Sequence, residues 1–312
     1  MSIWELLLAC DMDQTVIPNG QVVEATGARE RFQVFCDDAR VQLVYVTGRD
    51  IGLVEAAIAQ YHLPLPDFVI TDVGAQMYAY DAKTGPRILA DWHAHLAQSC
   101  PPEAFARIDQ HLKAWTRLVP QEAARQKTFK HSYYVAADAD MPPLVQEIKN
   151  HLAHLGLAVS VIWSFDHEKD VWLLDILARE ANKLDALLFL CERQGIGQSE
   201  RVFAGDSGND LAVMESDIPS VLVANASESV RAEAARLAAR TRRQAQLYLA
   251  ESQCSHALDH RCGYYADGVL QGVWHFVPAA HDALKRAGAD FSEMTGSSGM
   301  QTKGAHHGKR TQ

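Results

Sequence analysis

Short apolar runs recur along the chain at Ile3 to Ala9, Val41 to Val46, Asp67 to Thr71, Arg201 to Ala204 and Val221 to Ala224. Most are nearly continuous in Val, Ile, Leu, Phe and Ala, the pattern of parallel strands covered on both faces. Between them, stretches such as Gly52 to Tyr61 and Asn182 to Arg193 repeat apolar residues at helical spacing. Strand–helix alternation of this kind predicts an α/β fold with a doubly wound, Rossmann-like parallel sheet.

The middle of the chain, residues 80–178, breaks this rhythm. Ala104, Phe105, Ile108, Leu112 and Trp115 lie at helical spacing, as do Leu144, Val145, Ile148, Leu152 and Leu155. Between these predicted helices, Phe129 to Ala136 alternates: Phe129, His131, Tyr133 and Val135 point one way, Lys130, Ser132 and Tyr134 the other. Val159 to Phe165 and Val171 to Ile176 read as further strands. Two helices beside antiparallel strands make an α+β layer with one buried and one free sheet face. The expectation is an inserted domain, 80–178, within a core domain of residues 1–79 and 179–286. From about Gly288 the chain is rich in Gly, Ser, Thr, Lys and His, and 287–312 are expected to form a disordered tail.

A chain of 312 residues with 48% hydrophobic positions can bury a large core. Its 29 Lys+Arg against 39 Asp+Glu give a net charge of -10, a field that repels nucleic acid. No apolar run approaches the ~20 residues that cross a bilayer, so no membrane association is expected. Leu7-Leu8-Ala9-Cys10 superficially resembles a lipoprotein cleavage site, but no basic start precedes it and Glu5 interrupts the run, so it reads as a strand. Six scattered cysteines fit reduced thiols in a cytoplasmic protein. Cys254, His256, His260 and Cys262 invite a zinc reading, yet their spacing matches no common zinc module, and packed cysteines with exposed histidines on a helix are the simpler expectation.

The first predicted strand runs directly into Asp11-Met12-Asp13-Gln14-Thr15. Ligands bind at the carboxyl edge of a parallel sheet, and both carboxylates can point into one crevice there. They repel unless a cation or a proton sits between them. A later strand ends in Gly205-Asp206-Ser207-Gly208-Asn209-Asp210, whose glycines allow a tight turn and whose Asp206 and Asp210 offer hard oxygen ligands suited to magnesium. Val41 to Val46 ends in Thr47-Gly48-Arg49, a hydroxyl and exposed amides able to hold a phosphate oxygen. Lys183, near a helix start, offers a point charge to the same site. Singly, each element is common turn, cap or surface chemistry. Four in this order, three of them closing predicted parallel strands, point to one site.

Together they resemble the haloacid dehalogenase superfamily of phosphohydrolases. Leu174-Asp175-Ile176-Leu177, Gln126-x-x-x-Lys130-x-Ser132-Tyr133 and Tyr265-Ala266-Asp267-Gly268-Val269-Leu270 look like its sucrose-phosphatase-like branch, which includes phosphatases of mannosylfructose phosphate. The resemblance runs from about Leu6 to about Phe276. It implies magnesium-dependent hydrolysis of a small sugar phosphate, such as a disaccharide phosphate, with Asp11 phosphorylated in turnover and Asp13 as acid and base. Thr47, Gly48, Lys183 and Asn209 would bind the phosphoryl group. Asp11, Asp13 through its carbonyl, Asp206 and Asp210 would surround Mg2+. The insert would be a cap that reads the sugar, with Arg49, Gln126, Lys130, Ser132 and Asp175 as substrate contacts. Lys130 would otherwise be a solvated strand lysine, and Asp175 either binds a sugar hydroxyl or caps the hinge. Phosphotransfer to another sugar is the alternative activity; an inactive sugar-binding domain partnering a cognate glycosyltransferase is the alternative class. The chain departs from the usual pattern at Gln14, a position for Gly, so that loop requires negative φ or strain. Leu184 in place of Gly and Ala178 in place of Pro bear on loop geometry and substrate preference.

Overall fold

The computed structural model describes residues 5–166, 169–252 and 262–292. Its strands are β1 (Leu6–Cys10), β2 (Val41–Val46), β3 (Phe68–Thr71), β4 (Gln76–Asp81), β5 (Gly85–Ile88), β6 (Val119–Pro120), β7 (Lys130–Ala136), β8 (Val159–Asp166), β9 (Val171–Ala178), β10 (Arg201–Gly205), β11 (Ser220–Leu222) and β12 (Leu247–Leu249). One sheet has the order β12-β11-β10-β1-β2-β3-β4-β5, parallel from β12 to β3, with β4 and β5 antiparallel at the edge. β1 is central because both its faces are apolar. Leu7 and Ala9 join the cluster on one side, with the helix Lys183–Gln194; Leu6, Leu8 and Cys10 join the other, with Ala28–Cys36 and Ala266–Phe276. Each buried Leu contributes about 1.5–3 kcal/mol, a gain that an edge position would forfeit in part. The chain winds outward from β1 through β3, then returns to add β10, β11 and β12 on the opposite side. The strand order therefore reverses at β1, where an open α/β sheet forms its crevice. The doubly wound α/β class predicted from the apolar pattern is the one observed.

The second sheet, β6-β7-β9-β8, is antiparallel throughout. Phe129, Tyr133, Val135, Val161, Leu174 and Ile176 join one cluster with Leu144, Ile148 and Leu152 of the helix Met141–His154. The cross-strand pairs Ser132–Asp175 and Tyr134–Leu173 belong to the opposite face, so the alternation read from residues 129–136 holds.

Two boundaries differ from the sequence reading. Residues 80–81 and 85–88 lie in β4 and β5 and pair within the larger sheet, so the smaller layer begins after Ile88 rather than at residue 80. A half-exposed edge hairpin alternates like a cap strand, which is why it read as insert. At the other end Ala289 and Phe291 are buried, and the Phe291 ring packs on Trp274, so the packed chain passes Gly288. Two apolar side chains among small residues leave no periodicity to read. Among the described residues no helix is long and apolar enough to cross a membrane. Cys254, His256 and His260 of the zinc-like constellation lie outside the described residues, and Cys262 is buried.

Candidate active site

The loops after β1, β2 and β10 meet at the crevice. Carboxylate oxygens of Asp11, Asp206 and Asp210 come within 4.8 Å of one another. Lys183 Nζ lies 2.8 Å from Asp210 Oδ1 and 3.1 Å from Asp11 Oδ2. Asn182 caps the helix that Lys183 begins, its side chain accepting from the Asp185 N–H at 3.0 Å, so the ammonium sits at the positive end of that helix dipole. Asp210 Oδ2 accepts from the backbone N–H groups of Asp206 and Ser207, both at 3.1 Å. This approach requires Gly205, because a Cβ there would meet Asp210 Oδ2 at 2.4 Å.

Three buried carboxylates thus face one ammonium. Burial, opposed by Lys183 and reinforced by Asp210 and Asp206, raises the Asp11 carboxyl far above its ordinary value. Burial and the Asp210 charge push Asp206 up to about 7. Burial works against the charge of Lys183, yet Asp11 and Asp210 hold its ammonium above the ordinary range. The pocket is short of positive charge. Oxygen donors with such a deficit fit a hard divalent cation such as magnesium.

Asp13 is only half-buried and is gripped from the side. Arg49 donates to its carboxylate through Nε at 2.8 Å and Nη2 at 2.6 Å, and Asn19 Nδ2 adds a bond of 2.7 Å. Burial raises the Asp13 carboxyl, but the Arg49 and Asn19 bonds outweigh it and leave the group below its ordinary value. The next residue, Gln14, has φ 55, so the loop takes the strained option rather than a negative φ. A left-handed residue with a Cβ costs about 1–2 kcal/mol. The strain is held by Asn225 Nδ2, which donates to the Gln14 carbonyl at 2.6 Å, and by the Gln14 N–H, which donates to Asn19 Oδ1 at 2.9 Å.

Asp11, Asp13, Thr47 and Asp206 line a cavity of ≈ 290 Å³. It adjoins one of ≈ 500 Å³, and Gly48, Arg125 and Asn209 border both. The larger cavity lies between the two sheets, with Lys183 on one side and Lys130, Tyr134, Leu173 and Asp175 on the other. Lys130 is only 6% exposed, with Nζ 3.3 Å from Asp72 Oδ1 and 3.4 Å from Asp175 Oδ2, so it is not a solvated strand lysine. Ser132 supports this pair by donating to Asp175 Oδ1 at 2.5 Å. Gln126 does not reach the cavity. Its Nε2 donates to the Gln121 and Ser132 carbonyls and its Oε1 accepts from the Ser132 N–H, so the amide closes its own loop onto β7. Trp163 of β8 is 41% exposed and lines the larger cavity.

A family model described as sucrose-6F-phosphate phosphohydrolase matches residues 4–277. The chain belongs to this family. It is a phosphatase of the haloacid dehalogenase superfamily. A HAD-like hydrolase of Nitrosococcus oceani is 40% identical over 275 residues, 88% of this chain and 72% of that protein. The mannosylfructose-phosphate phosphatase of Agrobacterium fabrum is 30% identical over 271 residues, 86% of this chain and 96% of that one. Among solved structures, the sucrose-phosphatase of Synechocystis sp. in complex with sucrose and phosphate matches with a TM-score of 0.66 at 24% identity, covering 88% of this chain and 98% of that chain.

Two side chains at this phosphatase site are not announced by any motif. Asp72 follows β3, is 2% exposed, and anchors Lys130. Burial, offset by Lys130, raises its carboxyl above the ordinary value. Asp72 and Val73 both have positive φ (51 and 60), and a β-branched residue in that region is an outlier. The turn persists because the Asp72 N–H donates to Arg49 O and the Val73 N–H to Thr47 O, both at 3.0 Å. An acidic residue just after a predicted parallel strand was the available signal. Arg125, from the segment before β7, pairs with Asp50 Oδ2 at 3.2 Å and has no such signal.

Proposed function

We propose that this phosphatase hydrolyses a small sugar phosphate of disaccharide size through a phosphorylated Asp11, with magnesium as cofactor. The observation that carries the reading is the pair of adjoining cavities. A small acidic one containing Asp11 leads past Gly48 and Asn209 into a larger one with polar groups on its cap side. The mannosylfructose-phosphate phosphatase relative and the sucrose complex of the structural relative support a disaccharide.

In this reading the Asp11 carboxylate attacks phosphorus, forming an acyl phosphate as the bond to the sugar oxygen breaks. Asp13 gives its proton to that departing oxygen, then takes one from the water that attacks phosphorus and releases inorganic phosphate. Thr47, the Gly48 backbone, Asn209 and Lys183 hold the phosphoryl oxygens. Asp11, the Asp13 carbonyl and Asp206 would hold magnesium, while Asp210 fixes Lys183 and the Asp206 loop. Two unit charges 4 Å apart interact by about 4 kcal/mol at an effective dielectric near 20, so a dianion beside Asp11 needs compensation. A bound magnesium ion supplies that charge. Asp13 carries a proton only once Arg49 loosens its grip, and Arg49 borders the same cavity, where phosphoryl oxygens offer it another anion.

Phosphate release from a panel of hexose and disaccharide phosphates tests the reading. The expected result is fastest turnover of a disaccharide phosphate and none in chelator. Preference for single hexoses, transfer to sugar instead of water, or full activity in chelator would each overturn the corresponding part. Within the cap, Lys130→Met is expected to lower kcat/KM for the best sugar phosphate roughly 10- to 150-fold, the worth of a hydrogen bond to a charged group, about 1.5–3 kcal/mol. Turnover of p-nitrophenyl phosphate should fall only a few-fold. Equal losses on both substrates would instead assign Lys130 to holding the cap against Asp72.

A further inference from the structure

The cations bordering the smaller cavity are Arg49 and Arg125. Arg49 is doubly bonded to Asp13, which borders the same cavity, so its charge is matched there. Arg125 differs in both respects. Among the described residues its one side-chain contact is Nη1 to Asp50 Oδ2 at 3.2 Å, with side chains 42% and 23% exposed. Such a pair is weak, and most of the guanidinium fork lacks a protein partner in it. The backbone of Arg125 is tied to the cap: its N–H donates to Glu122 O at 2.8 Å, and its carbonyl lies 3.4 Å from Ser132 Oγ. Ser132 in turn bonds Asp175 on the face that borders the larger cavity. Arg125 is therefore a cap-borne charge bordering both cavities, fixed at its base to the polar sheet face.

We infer that Arg125 binds the phosphoryl group, leaving Asp50 for a peripheral phosphate oxygen when substrate enters. This rests on the phosphoryl site proposed above. A planar fork meeting a dianion forms charge-assisted and potentially bidentate bonds, stronger than its single bond to Asp50. Asp50 loses nothing structural in the exchange, because its Oδ1 caps the helix Ile51–Tyr61 through the Leu53 N–H at 3.0 Å. The phosphoryl end is thereby completed only when the cap is in place.

Inorganic phosphate is the probe, titrated calorimetrically into the full-length protein with magnesium, and used as competitor against p-nitrophenyl phosphate. Arg125→Gln is expected to weaken phosphate binding about 10-fold or more and to raise KM for the aryl and sugar esters alike, since each carries the phosphoryl group. Arg125→Lys, which keeps the charge and the fold but not the fork, should fall between. Asp50→Asn keeps the helix cap and should bind phosphate as tightly as the wild type or more tightly. Phosphate affinity of Arg125→Gln within about two-fold of wild type would overturn the assignment. So would equal weakening by Asp50→Asn, which would make the pair a structural latch. A wild type that neither binds phosphate nor releases it from esters would overturn the site reading itself, a result distinct from a failure confined to Arg125.

Discussion

Asp11→Asn is expected to reduce turnover at least about 1000-fold and, in the metal-free protein, to raise the melting temperature. The loss follows if Asp11 carries the phosphoryl group, because an amide is no nucleophile and neither Asp206 nor Asp210 is placed to replace it. Asp210 accepts from Lys183 and two backbone amides, and Asp206 accepts from Thr15 Oγ1 at 3.3 Å. The gain in stability follows from the sign of the Asp11 shift. Its carboxyl is raised above the unfolded value by burial and by Asp210 and Asp206, more than Lys183 lowers it. Such a group favours the fold below the unfolded value, and that contribution disappears as pH rises toward the folded value. At neutral pH the carboxylate is therefore a liability, and Asn removes it while Lys183 keeps Asp210. Each 1 kcal/mol should appear as about 2–4 °C, more at pH 8 than at pH 5, and magnesium should stabilise the wild type more than the variant. More than about 5% residual activity in a folded variant would sink the nucleophile assignment. A lower metal-free melting temperature would contradict the charge deficit.

Lys183→Met should act in the opposite direction on stability. The ammonium is buried between Asp210 and Asp11, and removing one partner of a buried ionic cluster costs about 3–5 kcal/mol. Its own value is raised above the unfolded one, so its stabilising effect is fully present at neutral pH and is lost only as pH rises through the folded value. The variant leaves three mutually repelling carboxylates, whose protonation relieves the cost. Its melting temperature should therefore fall furthest below wild type near pH 8 and recover toward pH 5, and magnesium should restore part of the difference. Turnover should drop about 100-fold or more if Lys183 holds the phosphoryl group as proposed, because that group then loses a fixed charge at the helix terminus. An unchanged melting temperature at pH 8 would show that solvent, rather than Lys183, screens the cluster.

The strands that could be read from sequence are those with apolar residues on both faces. β1, β2, β3, β10 and β11 are short and continuous, and their ends deliver Asp11, Thr47 and Asp206 because the loops after parallel strands line the crevice. The edge strands β4, β5 and β12 are short or half exposed, and their pairing depends on neighbours rather than on their own pattern. The same distinction separates the site residues. Asp72 meets Lys130, Arg49 meets Asp13 and Arg125 meets Asp50 only through tertiary register, so no local motif signals these pairs. Gln126 illustrates the converse. Its position in the strand motif suggested a sugar contact, but an amide that both donates and accepts can satisfy backbone groups beside it, and here it does.

The place of β1 between β2 and β10 also sets the order of events during synthesis. β2 can pair with β1 as soon as both have left the ribosome, but the other edge of β1 stays bare until Arg201–Gly205 follows, after the whole four-stranded layer has been made. Contacts so remote in sequence form slowly, and an exposed apolar strand edge in the interval invites association with other chains. Asp11 ends that strand, and its partners Lys183, Asp206 and Asp210 all belong to the late-emerging part. A nascent or C-terminally truncated chain therefore lacks the set of carboxylates that could hold a divalent cation. Any affinity of that set for a divalent cation would therefore report that β10 has docked on β1.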